Sequence, residues 1–360
     1  MPAPVTAQPL RRVVVLIVAY NSRADLEECL GSVCSSREPG VAVEVVVVDN
    51  ASTDDSGPLV RKLFPQVEVL RLERNTGFAG GNNAGWEFAQ RMWPDVEFLT
   101  LLNPDTRVGE GWLSALVAAL DAAPCAAAAQ PLLLLHDRPD RLNTLGNRSH
   151  FLGFGHVAGL GEPAEPLPAP VPAMQFPSGA AVMLRAGVVR GLGLFDERFF
   201  LYLEDADLGW KLRQAGHELI LATAARVWHK YRGDAPLRAY ELLERNRWVL
   251  LLTYYRWRTL LLLSPALLAM ELGQCLFALL RGVLGQKLRA WGWFLSAVSL
   301  GHVLRRRREA QRNRKLRDRD FLRNFTGGID FPGLRSPLLR WVANPLFGAY
   351  WALARRLILW

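Results

Sequence analysis

Glu204, Asp205 and Asp207 put three carboxylates within four positions, directly after the aromatic run Phe200-Leu201-Tyr202. A helix N-terminus accommodates carboxylates through its dipole, so capping is one account of the cluster. Three together exceed what capping needs, and mutual repulsion raises a carboxyl pKa toward the range useful to a general base. A second acidic turn, Leu102-Asn103-Pro104-Asp105-Thr106, has Pro104 where it can aim Asn103 and Asp105 the same way. Two such oxygens suit a hard divalent cation bridging a diphosphate, although a proline-directed turn needs no cation. Tyr20-Asn21 and Val48-Asp49-Asn50-Ala51-Ser52-Thr53-Asp54 offer a carboxylate for a nucleobase imide and a ring to stack on the base. Taken singly, each is also an ordinary Asx turn or N-cap. The glycine-rich stretch Arg74 to Gly85 either turns backbone N–H groups toward an anion or sugar, or lets a helix pack tightly on a strand.

These groups need strands to carry them. Val13–Ala19 and Val43–Val48 are unbroken β-branched or apolar runs, each ending in a polar loop, as buried parallel strands do. Apolar runs at Val67–Leu72 and Phe98–Leu102 alternate with helix-like stretches near Asp25–Val33, Gly57–Phe64 and Ala79–Arg91. Repeated βα units predict an open, doubly wound α/β sheet with its ligand at the carboxyl ends of the strands. No Gly-x-Gly-x-x-Gly follows the first strand and no Gly-Lys-Ser/Thr loop occurs, so neither a dinucleotide fingerprint nor a P-loop is available. Five prolines between Pro163 and Pro172 forbid a regular element and mark an excursion that serves as a lid or an acceptor loop. Regular structure resumes with Ala180–Leu184, a small helix, and a stronger helix at Asp205–Ala215; the body closes near His229.

The remainder differs in charge. Residues 1–240 carry 22 basic against 27 acidic side chains, residues 241–360 carry 21 against 7, and the whole 360-residue chain is +9. A basic tail calls for an anionic partner. Arg305–Arg319 holds nine basic and two acidic residues, which would suit nucleic acid, but Trp- and Leu-rich neighbours on both sides favour lipid and no recognition-helix module is present. Thr259–Leu280, as a helix of about 33 Å, is long enough to cross a bilayer core. Pro265, Glu271 and Gln274 within it weaken that reading, and Trp291–Leu304 is too short to cross. A single crossing would also strand Arg305–Arg308 on the far side. Helices lying in the membrane surface are therefore expected, peripheral or monotopic, with a single span as the alternative. Cys29, Cys34, Cys125 and Cys275 show no metal-ligand or disulfide spacing, and Met1–Pro9 has no signal-peptide pattern, so a cytosolic setting is expected.

In order along residues 12–230, Val-Ala-Tyr-Asn, Val-Asp-Asn-Ala-Ser-Thr-Asp, Asn-Thr-Gly-Phe-Ala-Gly-Gly-Asn-Asn, Leu-Asn-Pro-Asp, Ser178-Gly179-Ala180 and Glu204-Asp205-Ala206-Asp207 resemble family 2 glycosyltransferases of the GT-A fold. The Asn-Pro-Asp and Glu-Asp-Ala-Asp versions are most similar to the rhamnosyltransferase branch that builds bacterial surface polysaccharides. The resemblance implies a Rossmann-like, mostly parallel sheet over residues 1–235, followed by a helical membrane-associated region over 236–360. It implies that Tyr20, Asn21, Asp49, Asn75, Gly77, Asn82, Asn103 and Asp105 bind a nucleoside-diphosphate sugar. Asp105 and His229 would hold Mg2+ or Mn2+, although for His229 a structural role is equally open. Ser178, Gly179, Glu204 and Asp207 would orient the acceptor, and Asp205 would be the general base of an inverting transfer. The implied acceptor is a lipid-linked saccharide at the cytoplasmic membrane face, with a polyprenyl phosphate as the alternative. Asn103 stands where the common Asp-x-Asp has its first carboxylate. Glu244-Arg245-Asn246-Arg247-Trp248 resembles the Gln-x-x-Arg-Trp of processive synthases without its Gln, which favours transfer of a single sugar.

Overall fold

A computed structural model describes residues 10–231, 237–329, 337 and 339–360. The expected boundary at 235/236 and the segment Met1–Pro9 lie outside the described residues. The strands are β1 (Arg11–Ala19), β2 (Val41–Asp49), β3 (Glu68–Arg71), β4 (Phe98–Leu102), β5 (Thr106–Val108), β6 (Ala126–Leu135), β7 (Leu142–Thr144), β8 (Asn147–Ser149), β9 (Gly155–Val157), β10 (Ala181–Arg185) and β11 (Glu218–His229). Helices α1 (Arg23–Ser35), α2 (Ser56–Leu63), α3 (Gly77–Met92), α4 (Trp112–Ala122), α5 (Ala186–Leu192) and α6 (Glu204–Gln214) cover the sheet. The tail supplies α7 (Tyr240–Tyr254), α8 (Trp257–Leu280), α9 (Leu284–Trp293), α10 (Ala297–Asn313), α11 (Asp318–Phe321) and α12 (Asn344–Leu357).

The main sheet runs β3-β2-β1-β4-β10-β6-β11-β5, with β7 on β6. The expected parallel order holds for β3-β2-β1-β4. Beyond β4 the sheet is mixed, because β10 pairs antiparallel with both β4 and β6. The reason lies in the path of the chain. After β6 it wanders through residues 136–180 at the carboxyl edge of the sheet, so β10 must start there and run back. Register makes the consequence concrete: Ala19 pairs with Asp49, and Leu102 pairs with both Ile17 and Ala181. The ends of β1, β2 and β4 and the start of β10 therefore open on one edge.

Two apolar layers sandwich the sheet. Alternate residues of β1, such as Val13, Val15 and Ile17, face α1, α2 and α4, while Val14 and Leu16 face α3, α5 and α6. A third core joins Phe199, Ala206 and Trp210 around α6 to Leu250, Tyr254, Leu263 and Val303 of the tail. The tail is thus packed into the body through the helix that begins with the acidic cluster. The proline-rich excursion has no regular structure; Ala164 and Leu167 pack on β6, β7 and β11. Those contacts seat it against Leu134 and Trp228 near the ends of β6 and β11, and against Leu221.

Charged residues explain how α8 sits. Arg247 of α7 and Lys287 of α9 lie between Glu244 and Glu271, all four ion-paired, with Glu244, Arg247 and Lys287 buried and Glu271 partly so. Gln274 accepts from both cations, at 3.2 and 2.7 Å. Glu271 and Gln274, the residues that weaken a bilayer-crossing reading of α8, are the ones that tie it to its neighbours. Its other face, Leu261, Leu268, Leu272, Leu276 and Leu279, is exposed. The stretch Trp291–Leu304, expected as one helix, instead breaks after Trp293 and restarts at Ala297.

Candidate active site

On the β1–β2 side, the loops are knitted to each other. Asn21, with φ of 51°, accepts from the N–H of Thr53 at 2.8 Å and takes Ser52 Oγ on its own N–H at 3.1 Å. Tyr20 stands above them, 49% exposed, free to offer its ring face. Asp49 is fully buried; one carboxylate oxygen accepts from Ser52 N–H at 2.9 Å and the other is ion-paired with Arg71. A Cβ on Gly57 would come within 2.4 Å of that oxygen, which is why the helix following the loop needs glycine there. Asp49 is therefore where a base-binding carboxylate was expected, but Arg71, half exposed at the edge, closes it off.

The hub of this side is Asn50, a residue not singled out from sequence. Its Oδ1 accepts from Thr76 N–H at 2.9 Å and Thr76 Oγ1 at 3.1 Å, and its Nδ2 donates to Asn75 Oδ1 and Gly77 O. Asn75 Oδ1 in turn takes Gly77 N–H at 2.8 Å. These bonds occupy the Thr76 and Gly77 N–H groups at the start of α3. Asn82 is buried and donates to Phe78 O at 2.8 Å. Cβ atoms on Gly81 and Gly85 would meet Val18 and Leu16 at 2.7 and 2.3 Å. Close helix–sheet packing accounts for these glycines. Asn75, Gly77 and Asn82 brace the start of α3 beneath the opening.

The β4 turn is held by Asn103 N–H on Ala180 O at 2.9 Å and by Thr106 Oγ1 on Asn103 O at 2.7 Å. The strand pairing of β5 with β11 brings Asp105 to His229: Lys230 N–H bonds Asp105 O at 3.0 Å, and His229 Nε2 lies 3.4 Å from Asp105 Oδ1. His229 Nδ1 is 2.9 Å from Asn143 Oδ1. That contact orients the ring so that Nε2 faces Asp105, where a cation between them would meet both groups. One carboxylate and one oriented imidazole suit Mn2+ or Mg2+ whose other positions are filled by phosphate oxygens and water. Among the described residues no group of three His, Cys, Asp or Glu is assembled for a metal, so the protein alone supplies an incomplete shell.

The turn Ser178-Gly179-Ala180 joins the two halves. Ser178 N–H donates to Gln130 Oε1 at 2.8 Å; Gln130, a lone amide in the apolar strand β6, is the signal that could have revealed this support. Gly179 lies between Phe78 and Asp205, its backbone close enough to the Asp205 carboxylate to favour the ionised form. Asp205 also accepts from Ala206 N–H at 2.7 Å. Burial pushes the Asp205 carboxyl up to about 6 against those two backbone groups. Glu204, more deeply buried and beside the Asp205 charge, is raised well above the usual carboxylate range, and its Oε2 has no partner among the described residues. Two adjacent carboxyls are thereby driven apart, Glu204 keeping its proton while Asp205 ionises near neutrality.

Asp207 does not join them. It is buried, accepts from Tyr254 Oη at 2.8 Å and is ion-paired with Arg306 of α10. The expected acceptor-orienting role does not match this placement, since two residues along a helix, about 200° of rotation, turn Asp207 away from Asp205 and toward the tail. Arg306 also pairs with Asp196, which His302 reaches at 2.7 Å. Against burial, which acts the other way, Arg306 and His302 hold the Asp196 carboxyl below its ordinary range.

Residues 14–152 match the model for glycosyl transferase family 2, and residues 98–304, more than half of the chain, match that for glycosyl transferase family group 2. An N-acetylglucosaminyl-diphospho-decaprenol L-rhamnosyltransferase of Mycobacterium tuberculosis is 30% identical over 238 residues, 60% of this chain and 75% of the relative. A pre-mycofactocin glycosyltransferase of the same organism is 25% identical, over 64% of this chain and 45% of that one. A crystal structure of GalNAc-T7 with UDP, GalNAc and Mn2+ superposes with a TM-score of 0.53 at 17% identity, over 69% of this chain and 49% of that chain, a likeness of fold alone. Motif order, strand register and these matches agree: the chain belongs to glycosyltransferase family 2, in its rhamnosyltransferase-like branch, with a GT-A fold.

Proposed function

We propose that the protein transfers a single sugar, rhamnose or a similar deoxysugar, from a nucleoside-diphosphate donor to a lipid-linked saccharide, with inversion at the anomeric carbon. The observation that carries this reading is Asp205, set against Gly179 at the carboxyl edge with a pKa near 6 and flanked across one short turn by Asn103–Asp105. A base of that strength is ionised at neutral pH yet still able to accept a proton. Asp205 takes the proton of the acceptor hydroxyl as its oxygen attacks the anomeric carbon, and the nucleoside diphosphate leaves from the opposite face. Asp105 and His229 would hold a divalent cation, which when bound supplies positive charge for the leaving diphosphate. Tyr20 offers a stacking face to the base. The similar rhamnosyltransferase, named for a lipid diphosphate carrying N-acetylglucosamine, supports the choice of acceptor class.

Lipid-linked acceptors require the opening to lie near a membrane. Of the described helices only Trp257–Leu280 is long and apolar enough to cross one, by length and composition. One side of it is committed to the Glu244–Arg247–Glu271–Lys287 cluster and the other is a leucine stripe. Leu288, Trp291, Leu295 and Val298 continue the exposed apolar surface onto α9 and α10, next to arginines. This pattern supports a helix lying in the plane of the cytoplasmic leaflet, its leucines in the acyl boundary and the basic residues on anionic headgroups.

The test is metal-dependent release of nucleoside diphosphate from a panel of nucleotide sugars, with a lipid-diphosphate saccharide or a polyprenyl phosphate as acceptor. Transfer to the saccharide is expected; transfer to the phosphate alone would move the assignment to a polyprenyl-phosphate glycosyltransferase. Flotation with anionic vesicles should capture the full chain, and replacing Leu268 and Leu272 with Ser should release it. Salt-dependent binding to random DNA without flotation would refute the membrane role.

A further inference from the structure

The backbone that delivers Asp205 to the opening is held in a conformation its own residues disfavour. Phe200, Tyr202 and Leu203 have φ of 62°, 70° and 64°. Three non-glycine residues within four positions thus occupy the left-handed side of the map, which side chains with a Cβ enter at a cost. Leu203 is the residue before α6, so the last of these torsions sets the direction in which Glu204 and Asp205 leave. Such a segment persists only where its surroundings over-determine it.

Two grips do so. From the body, Ala79 N–H reaches Phe200 O at 3.3 Å, and Gly77, with φ of 73°, makes room: a Cβ there would fall 2.3 Å from the same oxygen. From the tail, Asn246 of α7, 1% exposed, turns its Nδ2 to the carbonyls of Phe199, Leu201 and Tyr202 at 3.1, 3.2 and 2.8 Å. Its orientation is set by Arg245, whose Nε and Nη2 donate to Asn246 Oδ1 at 3.0 and 2.9 Å. Arg245 Nη2 also reaches Arg198 O at 2.6 Å and Phe199 O at 3.2 Å. Only a carboxamide meets this demand, because it accepts from the guanidinium on one side and donates to the loop on the other. Aspartate in its place would set a carboxylate against three carbonyl oxygens.

We propose that Asn246, oriented by Arg245, is a positioning residue for the transfer: by bonding the carbonyls of the Phe199–Tyr202 segment it offsets the strain of the left-handed turn and holds Asp205 against Gly179. The proposal rests on Asp205 being the general base. It makes the tail a part of the catalytic apparatus as well as a membrane anchor.

Full-length protein is assayed with the nucleotide sugar and lipid acceptor selected by the panel above, across pH, with circular dichroism melting in parallel. Asn246→Ala and Asn246→Asp should lose about 100-fold in kcat, the scale of a misplaced catalytic group, with the donor KM unchanged. The pH midpoint of kcat should rise, because Asp205 loses the nearby Gly179 backbone that favours its ionised form. In the Asn246→Ala background, Leu203→Gly should restore most of kcat, since glycine occupies the left-handed turn without cost. A fall in melting temperature with kcat per folded molecule and pH midpoint unmoved would overturn the proposal, as would failure of Leu203→Gly to rescue. If Asn246→Ala does not fold, Arg245→Met, which leaves the carboxamide in place but unoriented, should show a smaller kcat loss and the same pH shift; wild-type kcat there overturns it. Asp205→Asn is the control for the underlying reading: if that variant turns over normally the base assignment itself fails, and if it is dead while Asn246→Ala is normal only the positioning role fails.

Discussion

The donor-side loops and the acceptor-side helix meet at one opening but are held by bonds of different reach. On the donor side Asn21 bonds Thr53, Asn50 bonds Thr76, and Asp49 pairs with Arg71, partners 32, 26 and 22 positions apart. On the acceptor side α6 and the turn before it are held by Asn246, Tyr254 and Arg306, which lie 44 to 99 positions from the groups they bond. The β1–β3 loops of the donor side are therefore knitted within the first βα units, with Asp105 and His229 the long-range exception, whereas the acceptor side is held by the tail. It also follows that the body and the tail, distinct in charge, share a core through Trp210, Tyr254 and Phe321.

Removing the base should break this arrangement most. Asp205→Asn should lower kcat by roughly 10²–10⁴-fold while donor binding persists. The wild-type kcat should climb as pH rises through about 6, where Asp205 ionises, and level off above it. Stability should move oppositely. The folded-state pKa of Asp205 is raised to about 6, above an unfolded value of about 3.9. The folded protein therefore binds more protons between those values, and stability falls as pH rises through that window. Asp205→Asn escapes that loss, so its melting temperature relative to wild type should increase between pH 4 and pH 7. A melting-temperature difference that is the same at both ends would contradict the burial of an ionised carboxylate at this position.

Next in size is a pair of arginines, one on each side. Arg306→Met leaves Asp196 and Asp207 buried with one cation fewer, and loss of one partner from such a group costs about 3–5 kcal/mol. Arg71→Met leaves Asp49 with its Ser52 N–H bond and opens it to water, so the cost should be about 1 kcal/mol. Denaturant titration of both variants measures the difference. Equal losses would mean that the acceptor side depends on the tail no more than the donor side does.

The same difference in reach decided what the sequence revealed. Turn chemistry acts over a few residues, so Asn21, Asp49, Asn103 and Asp105 could be placed at strand ends from residue type and order alone. The strand at Phe98–Leu102 was legible to the residue, because four apolar residues and the β-branched Thr100, bounded by Asn-Pro, read as a single buried strand. Partner choice at long range leaves no such mark. Nothing near Asp49 indicates that Arg71 will cap it, and nothing near Asp207 indicates Arg306, so a carboxylate committed to the core read like one facing an acceptor. Asn246 sat inside a recognised motif, yet its partners are backbone carbonyls that any sequence supplies. In α8, Glu271 and Gln274 looked like flaws in a span until Lys287 and Arg247 arrived from two other helices.

Smaller effects are expected at the cation site. His229→Gln removes the nitrogen facing Asp105, and Asn143→Leu leaves that nitrogen but frees the ring. Loss of a ligand's orienting partner costs about 10–100-fold in metal affinity. Titrating Mn2+ against nucleoside-diphosphate release should therefore show a raised half-saturation for both variants with kcat recovered at high Mn2+. Unchanged Mn2+ dependence in His229→Gln would assign that histidine to packing and leave Asp105 as the sole protein ligand.

The smallest effect should come from the most exposed donor-side group. Tyr20 is about half open to solvent and rests on a loop already fixed by Asn21 and Ser52, so its removal disturbs no framework. Stacking of a base on an aromatic ring is worth about 1 kcal/mol at its low end, some fivefold in affinity. Tyr20→Ala should raise the donor KM by about that factor with kcat and melting temperature unchanged, and Tyr20→Phe should behave as wild type because the ring face is kept. If Tyr20→Phe loses as much as Tyr20→Ala, the hydroxyl and not the ring face is what the nucleotide meets. If both lose kcat, the donor side also positions the reacting atoms, and the separation between a binding half and a catalytic half no longer holds.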